Sequence, residues 1–208
     1  LSTGPTYAQA RCALSLILAI DVSSSVDPDE YALQMKGIAN ALRDNEVIES
    51  IRLSGGIQLF AFEWSGRSQH VDILPWTYLK EQSGILAAAE MIERHPRGYS
   101  DLPTALGFAL GYSAIQLQKA PLACTRQAVD VSGDGVNNDG YEPRLAYKNF
   151  VFDGVQVNGA IEYRTKNTAH LAFDNCEASG LLILLDEYGV ACSAGSAWGS
   201  LKTPWSPL

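Results

Sequence analysis

The chain has 208 residues, 47% of them hydrophobic, and a formal net charge of −8. That length can bury one full core, and the acidic balance argues against nucleic acid as main partner, because neutralising phosphates takes a basic face. No run of about 18 apolar residues occurs, so no membrane-spanning helix is predicted.

Ala8-Gln9-Ala10 has the small-residue pattern of a signal-peptidase site, without an apolar region ahead of it. Residues 1–10 therefore read either as a secretory-signal remnant or as ordinary chain. Residues 13–20 (ALSLILAI) predict a strand covered on both faces. Asp27-Pro28-Asp29-Glu30 supplies an N-cap, a proline at the first helical position and a glutamate two positions later, a strong helix start. Tyr31, Met35, Ile38 and Leu42 follow at helical spacing and share one face.

Two strands are expected at 56–64 (GIQLFAFEW) and 70–75 (HVDILP), the second at a sheet edge. Helices are expected over about 79–94, with Leu79, Ile85, Leu86 and Met91 inward, and over 103–118. A strand at 125–132 (TRQAVDVS) runs into GDGVNNDG, and a helix at 142–152 and a strand at 154–161 complete another unit. This alternation implies an α/β fold: a doubly wound, mostly parallel sheet, Rossmann-like, with helices on both faces. Ligands of such sheets gather at the carboxyl ends of the strands, where Asp21 and Asp134 are expected.

None of Cys12, Cys124, Cys176 and Cys192 forms C-x-x-C, and the histidines are scattered, so no zinc site is predicted. Cys12 lies nine residues before Asp21 and Cys124 ten before Asp134. If both aspartates end neighbouring parallel strands, the two cysteines begin them side by side. A Cys12–Cys124 disulfide in an oxidising compartment and two buried free thiols are the alternatives.

Asp21, Ser23 and Ser25 form D-x-S-x-S directly after the first strand. Alternate residues of an extended turn project the same way, so three oxygens can converge on one hard divalent cation. The same residue types also cap helices, and that bland use competes with the metal reading. Taken with Thr104 in DLPTALGFAL and Asp134 in DVSGDG, the pattern resembles the metal-ion-dependent adhesion site of von Willebrand factor A (VWA) domains. The resemblance implies that Ser23, Ser25 and Thr104 bind Mg2+ or Mn2+ directly, with Asp21 and Asp134 acting directly or through water. It also implies an open coordination position that takes a carboxylate from a protein partner.

The stretches CALSLILAIDVSSSVDPDEYALQ, FAFEWSG and ACTRQAVDVSGDGVNNDG further resemble an uncharacterised family of secreted bacterial VWA-like proteins, over residues of about 10–160. That likeness implies fold and export, to the periplasm or outside the cell, more than an activity. Trp64 and Trp76 in the same region are assigned to packing.

Catalytic readings are weaker. GDGVNND resembles the Mg2+-holding motif of haloacid-dehalogenase-like phosphatases, but Ser23 stands where that chemistry needs a second aspartate. A calcium loop fails because Gly135 would be its first ligand, and Asn137, Asn138 and Gly140 are assigned to turn chemistry. His70, His95 and His170 have no nucleophile-and-acid motif beside them and are expected to be structural or solvated.

Residues 163–208 resemble instead the C-terminal lobe of cysteine desulfurases, in the phrasing NTAHLAF, LLILLDEYGV and SAGSAW. Trp198 occupies the place of that family's persulfide cysteine, and no lysine lies in a pyridoxal-binding motif. The expected organisation is thus a VWA-like domain over 11–162 followed by a desulfurase-like segment over 163–208, a strand and helix of which could complete the sheet. The expected function is a secreted, non-enzymatic binding module. The alternatives are a metal-dependent hydrolase and an inactive relic of a pyridoxal-phosphate desulfurase.

Overall fold

The computed structural model describes residues 12–133, 136–152 and 154–158. The strand at its centre, β1 (Leu14–Asp21), is flanked on both sides by parallel neighbours. These are β2 (Ile57–Trp64) and β4 (Arg126–Ser132). Beyond β2 lies β3 (His70–Leu79), and beyond β4 lies β5 (Val155–Asn158), giving the order β3-β2-β1-β4-β5. Only β3 runs antiparallel among the described strands.

The period-two alternation of β1 explains why helices are needed on both faces. Leu18 and Ile20 enter one core with residues of α1 (Pro28–Arg43), α2 (Asn45–Leu53) and α3 (Gln82–Glu93). Ile17 and Ala19 enter the other, with α4 (Leu106–Gln118) and α5 (Pro143–Asn149). Each fully buried aliphatic side chain of this kind contributes about 1.5–3 kcal/mol of transfer free energy. The α/β, doubly wound and mostly parallel sheet is as the sequence pattern implies.

Helix α1 starts where Asp27 predicts. The Asp27 carboxylate accepts from the backbone of Asp29 and Glu30, and Glu30 returns a bond to the Asp27 N–H. Met35 and Leu42 are buried, with Tyr31 and Ile38 packed against the same core.

Three elements differ from expectation. Helix α2, which the sequence reading leaves out, follows α1 directly: Asp44 ends the first helix and caps the second, accepting from Glu46 and Val47. Strand β3 extends to Leu79 through Pro75, which an edge strand tolerates. Leu79 is therefore a buried strand residue, and α3 begins only at Gln82. Its inward face is Ile85, Ala88, Ala89 and Ile92, while Leu86 and Met91 are 38% and 50% exposed. Small alanines on that face let the helix lie close to the sheet.

Cys12 and Cys124 form a disulfide with Cα atoms 4.5 Å apart. They stand two residues ahead of the Leu14–Arg126 pair, so strand register alone brings them together. Trp64 is buried, and Trp76 packs against the second core with its indole N–H donating to Gln116 O at 3.1 Å. Among the described residues no helix is long and apolar enough to cross a membrane. The expected segment over 163–208, with His170, Cys176, Cys192 and Trp198, lies outside the described residues, as does the expected strand end beyond Asn158.

Candidate metal centre

Asp21 is the last residue of β1 and is completely buried. Its Oδ1 accepts from the Ser23 backbone N–H at 2.8 Å, which folds the chain back on itself as the strand ends. Val22 N–H still reaches Trp64 O at 2.9 Å, Ser24 N–H reaches Leu102 O at 2.9 Å, and Val26 N–H closes on Ser23 O at 3.0 Å. The loop is thus tied to β2 on one side and to the segment before α4 on the other.

That second tie delivers Thr104. Its hydroxyl donates to Ser23 Oγ at 3.0 Å, and Ser23 Oγ lies 3.1 Å from Ser25 Oγ. Three hydroxyl oxygens from two loops therefore form one connected group, with Ser23 and Thr104 buried and Ser25 at the exposed end. Ala105 N–H bonds to Ser65 O at 2.8 Å, and Ser65 Oγ donates to Pro103 O at 3.0 Å.

The asparagines after β4 do more than turn the chain. Asn138 Oδ1 accepts from Thr104 N–H at 2.9 Å, while Asn138 N–H and Asp139 N–H both donate to Thr104 O, at 3.0 and 3.1 Å. Asn137 Oδ1 accepts from Gly107 N–H at the start of α4, at 3.3 Å. Turn chemistry alone would leave these side-chain oxygens to solvent. Instead Asn138 Oδ1 takes the Thr104 N–H and Asn137 Oδ1 the Gly107 N–H, while the Asn138 and Asp139 backbone N–H groups hold the Thr104 carbonyl. Asp139 is in turn held by Arg67, whose Nε donates to its Oδ1 at 2.7 Å. That side-chain hydrogen bond keeps the Asp139 carboxyl below the usual carboxylate range.

The donor chemistry suits a small hard cation. Hydroxyls and carboxylates are the oxygens such ions prefer. Gly133 leaves room for the Asp21 carboxylate: a Cβ there would stand 2.8 Å from Asp21 Oδ2 and 3.2 Å from Trp64 Cζ2. Of the five residues named from sequence, Asp21, Ser23, Ser25 and Thr104 meet at the strand tips. Asp134 lies outside the described residues. Among the described residues no three His, Cys, Asp or Glu side chains gather as a cation cluster, here or elsewhere.

Two neighbours of the site carry no sequence motif. Glu63 is completely buried in β2, where it accepts from Tyr31 Oη at 2.7 Å and from Gly98 N–H at 2.8 Å. Burial first, and then this carboxylate, push the Tyr31 hydroxyl far above its ordinary pKa. An acidic residue inside the apolar run FAFEW was the available signal, since a buried charge requires partners. Arg97, from the segment before α4, donates to backbone carbonyls of the Asp21–Val26 turn. Nothing in its sequence neighbourhood announces that role.

The two described histidines, His70 and His95, pack against neighbouring side chains. His70 stacks on Tyr112 with ring centroids 4.2 Å apart and planes 8° from parallel, and burial lowers its pKa. His95 is largely buried with Nε2 3.8 Å from Glu63 Oε1.

The family model described as Protein of unknown function (DUF1194) matches residues 11–180. The chain belongs to that family. Solved structures place this DUF1194 member in the VWA fold. Proximal thread matrix protein 1 of the mussel byssus superposes with a TM-score of 0.56 at 17% identity, over 72% of this chain and 38% of that one. A second structure of it, described as having a zinc-occupied metal-ion-dependent adhesion site, gives 0.55 at 16% identity over the same shares. A von Willebrand factor type A protein from Catenulispora acidiphila gives 0.51 at 16%, over 71% of this chain and 32% of that one. A separate likeness, 36% identity over 77 residues, links the chain to an IscS-like cysteine desulfurase of Mycobacterium tuberculosis. It covers 34% of this chain and only 20% of the desulfurase, so it is partial. The chain spans about two fifths of the mussel protein's length and a fifth of the desulfurase's.

Proposed function

We propose that this DUF1194 protein is a VWA-type binding module that captures a protein partner through a divalent cation. Ser23, Ser25 and Thr104 would hold Mg2+ or Mn2+ directly, with Asp21 and Asp134 acting directly or through water. A cation bound there supplies an electrophilic position for a carboxylate on the partner. The chain's own contribution is a ligand set of low charge: three neutral hydroxyls leave the ion short of compensation, so a further anionic ligand is favoured.

The observation that carries this reading is the linked triad of Ser25, Ser23 and Thr104 hydroxyls beside the buried Asp21. Helix capping does not account for it, because α1 is capped by Asp27 and α4 has no side-chain cap. VWA-type domains are in general binding modules rather than enzymes. The Cys12–Cys124 disulfide supports secretion or export to the periplasm, where such bonds persist. In this reading the binding domain covers 11–162, and residues 163–208 contribute no desulfurase chemistry, since Trp198 cannot act as a nucleophile.

Calorimetric titration of Mg2+ and Mn2+ into the wild type and Asp21→Ala tests the proposal. Saturable binding by the wild type and its loss in the variant are expected. Flat traces for both proteins would overturn it.

A further inference from the structure

Arg97 lies between α3 and α4, yet most of its hydrogen bonds go to another loop. Its Nη2 donates to Val22 O at 3.1 Å, Ser23 O at 3.1 Å and Val26 O at 2.8 Å, and its Nε donates to Tyr99 O at 2.6 Å. The guanidinium sits over the Tyr31 ring, 5.6 Å from its centroid. Tyr31 is fixed by Glu63 Oε1 and His95 O, and Glu63 Oε2 holds the Gly98 N–H next to Arg97. One cation from a distant segment therefore binds three carbonyls within the five residues that carry Ser23 and Ser25.

We propose that Arg97 is the positioning residue of the cation site, holding the Val22–Val26 loop in its ion-binding shape before any ion arrives. The inference rests on the cation-site reading above. Charge-assisted bonds to carbonyls are stronger than neutral ones, and a guanidinium offers several donors in a rigid fork. A lysine ammonium, a point charge on a flexible stem, cannot reproduce that arrangement. The two effects of Arg97 on a divalent ion have opposite signs. Its charge repels the ion, and its grip on the loop pre-forms the ligand set. Pre-organisation is the dominant effect in this proposal, so removing the charge weakens binding instead of tightening it.

The test compares the wild-type chain with Arg97→Lys and Arg97→Met. Amide hydrogen exchange in metal-free protein reads the loop directly, because Ser24 and Val26 N–H are bonded to Leu102 O and Ser23 O. Both amides are expected to exchange at least about tenfold faster in the variants, with Ile17 and Ala19 of β1 unchanged. Mn2+ affinity by calorimetry is expected to fall by about 10- to 100-fold in both variants, the range for outer residues that orient metal ligands.

Unchanged exchange at Ser24 and Val26 overturns the proposal. So does acceleration spread equally through β1, which marks a global loss of stability. A variant affinity equal to or tighter than the wild type's, in a wild type that binds Mn2+, also overturns it. A wild type that binds no Mn2+ removes the cation site itself, and faster loop exchange then identifies Arg97 as a loop clamp without a role toward metal.

Discussion

Thr104 Oγ1 donates to Ser23 Oγ across 3.0 Å, a buried contact between residues 81 positions apart. It joins the loop after β1 to the loop before α4 at the tips of the parallel strands. The Thr104 backbone is held on both its N–H and its C=O by the segment after β4. Thr104 is consequently placed by two distant parts of the chain at once.

Thr104→Val keeps the shape of the side chain and removes only its hydroxyl. Loss of the hydrogen bond is expected to cost about 1 kcal/mol of stability in urea titration. Mn2+ affinity is expected to fall by more than the about 10- to 100-fold of an outer-residue change, with Thr104→Ser restoring most of it. Equal affinities for Thr104→Val and the wild type would count against a ligand role.

Gly133→Ala probes the space beside the Asp21 carboxylate. The added Cβ would lie 2.8 Å from Asp21 Oδ2, so either the carboxylate or the β4 end has to move. A loss of about 1–3 kcal/mol is expected, typical of an overpacked interior, together with weakened Mn2+ binding. Thermal denaturation and calorimetry on the same sample measure both. Wild-type behaviour in each would show that the strand tips can relax around the methyl group.

Reduction of Cys12–Cys124 tests how much the bond constrains the unfolded chain. The cysteines are 112 residues apart in sequence. In the loop-entropy account, closing so long a loop stabilises the fold by about 4–5 kcal/mol. Urea midpoints with and without reductant are expected to differ accordingly, with Cys12→Ser/Cys124→Ser matching the reduced protein. Coincident midpoints would contradict that account.

Asp139 gives a pH-dependent test of the brace around Thr104. Its folded pKa is depressed by the hydrogen bond from Arg67. The pair's stabilisation is therefore present above the unfolded value of about 4 and is lost as pH falls through the lower folded value. Carboxyl-carbon NMR titration is expected to place Asp139 below the ordinary carboxylate range, and Arg67→Ala to return it there. A wild-type Asp139 that titrates normally would contradict the pairing.

Several of these features are legible in the residues alone. The run LSLILAID reads as a strand buried on both faces because every position is apolar or small until Asp21. Asp27-Pro28-Asp29-Glu30 reads as a helix start because Asp27, Asp29 and Glu30 bond within one turn and Pro28 suits the first helical position. Helix α2 escapes this reading because it follows a single shared cap, Asp44, and no separate punctuation marks it. The inward face of α3 is read only in part: Ile85 is inward as expected, but Leu79 belongs to the preceding strand and cannot set the helical face with Leu86 and Met91. Asn138 reads as a turn former, and its grip on Thr104 depends on a loop 34 positions away.

What the sequence by itself determined is everything carried by short-range periodicity: strands covered on two faces, a capped helix, and hydroxyls at the end of a buried strand. Tertiary structure alone decided which oxygens meet. Strand order and register set the Ser23–Thr104 contact, the room beside Gly133 and the reach of Arg97 to three carbonyls. Local patterns specify a residue's neighbours within a turn or a pleat, whereas contacts between distant residues depend on how whole elements are stacked.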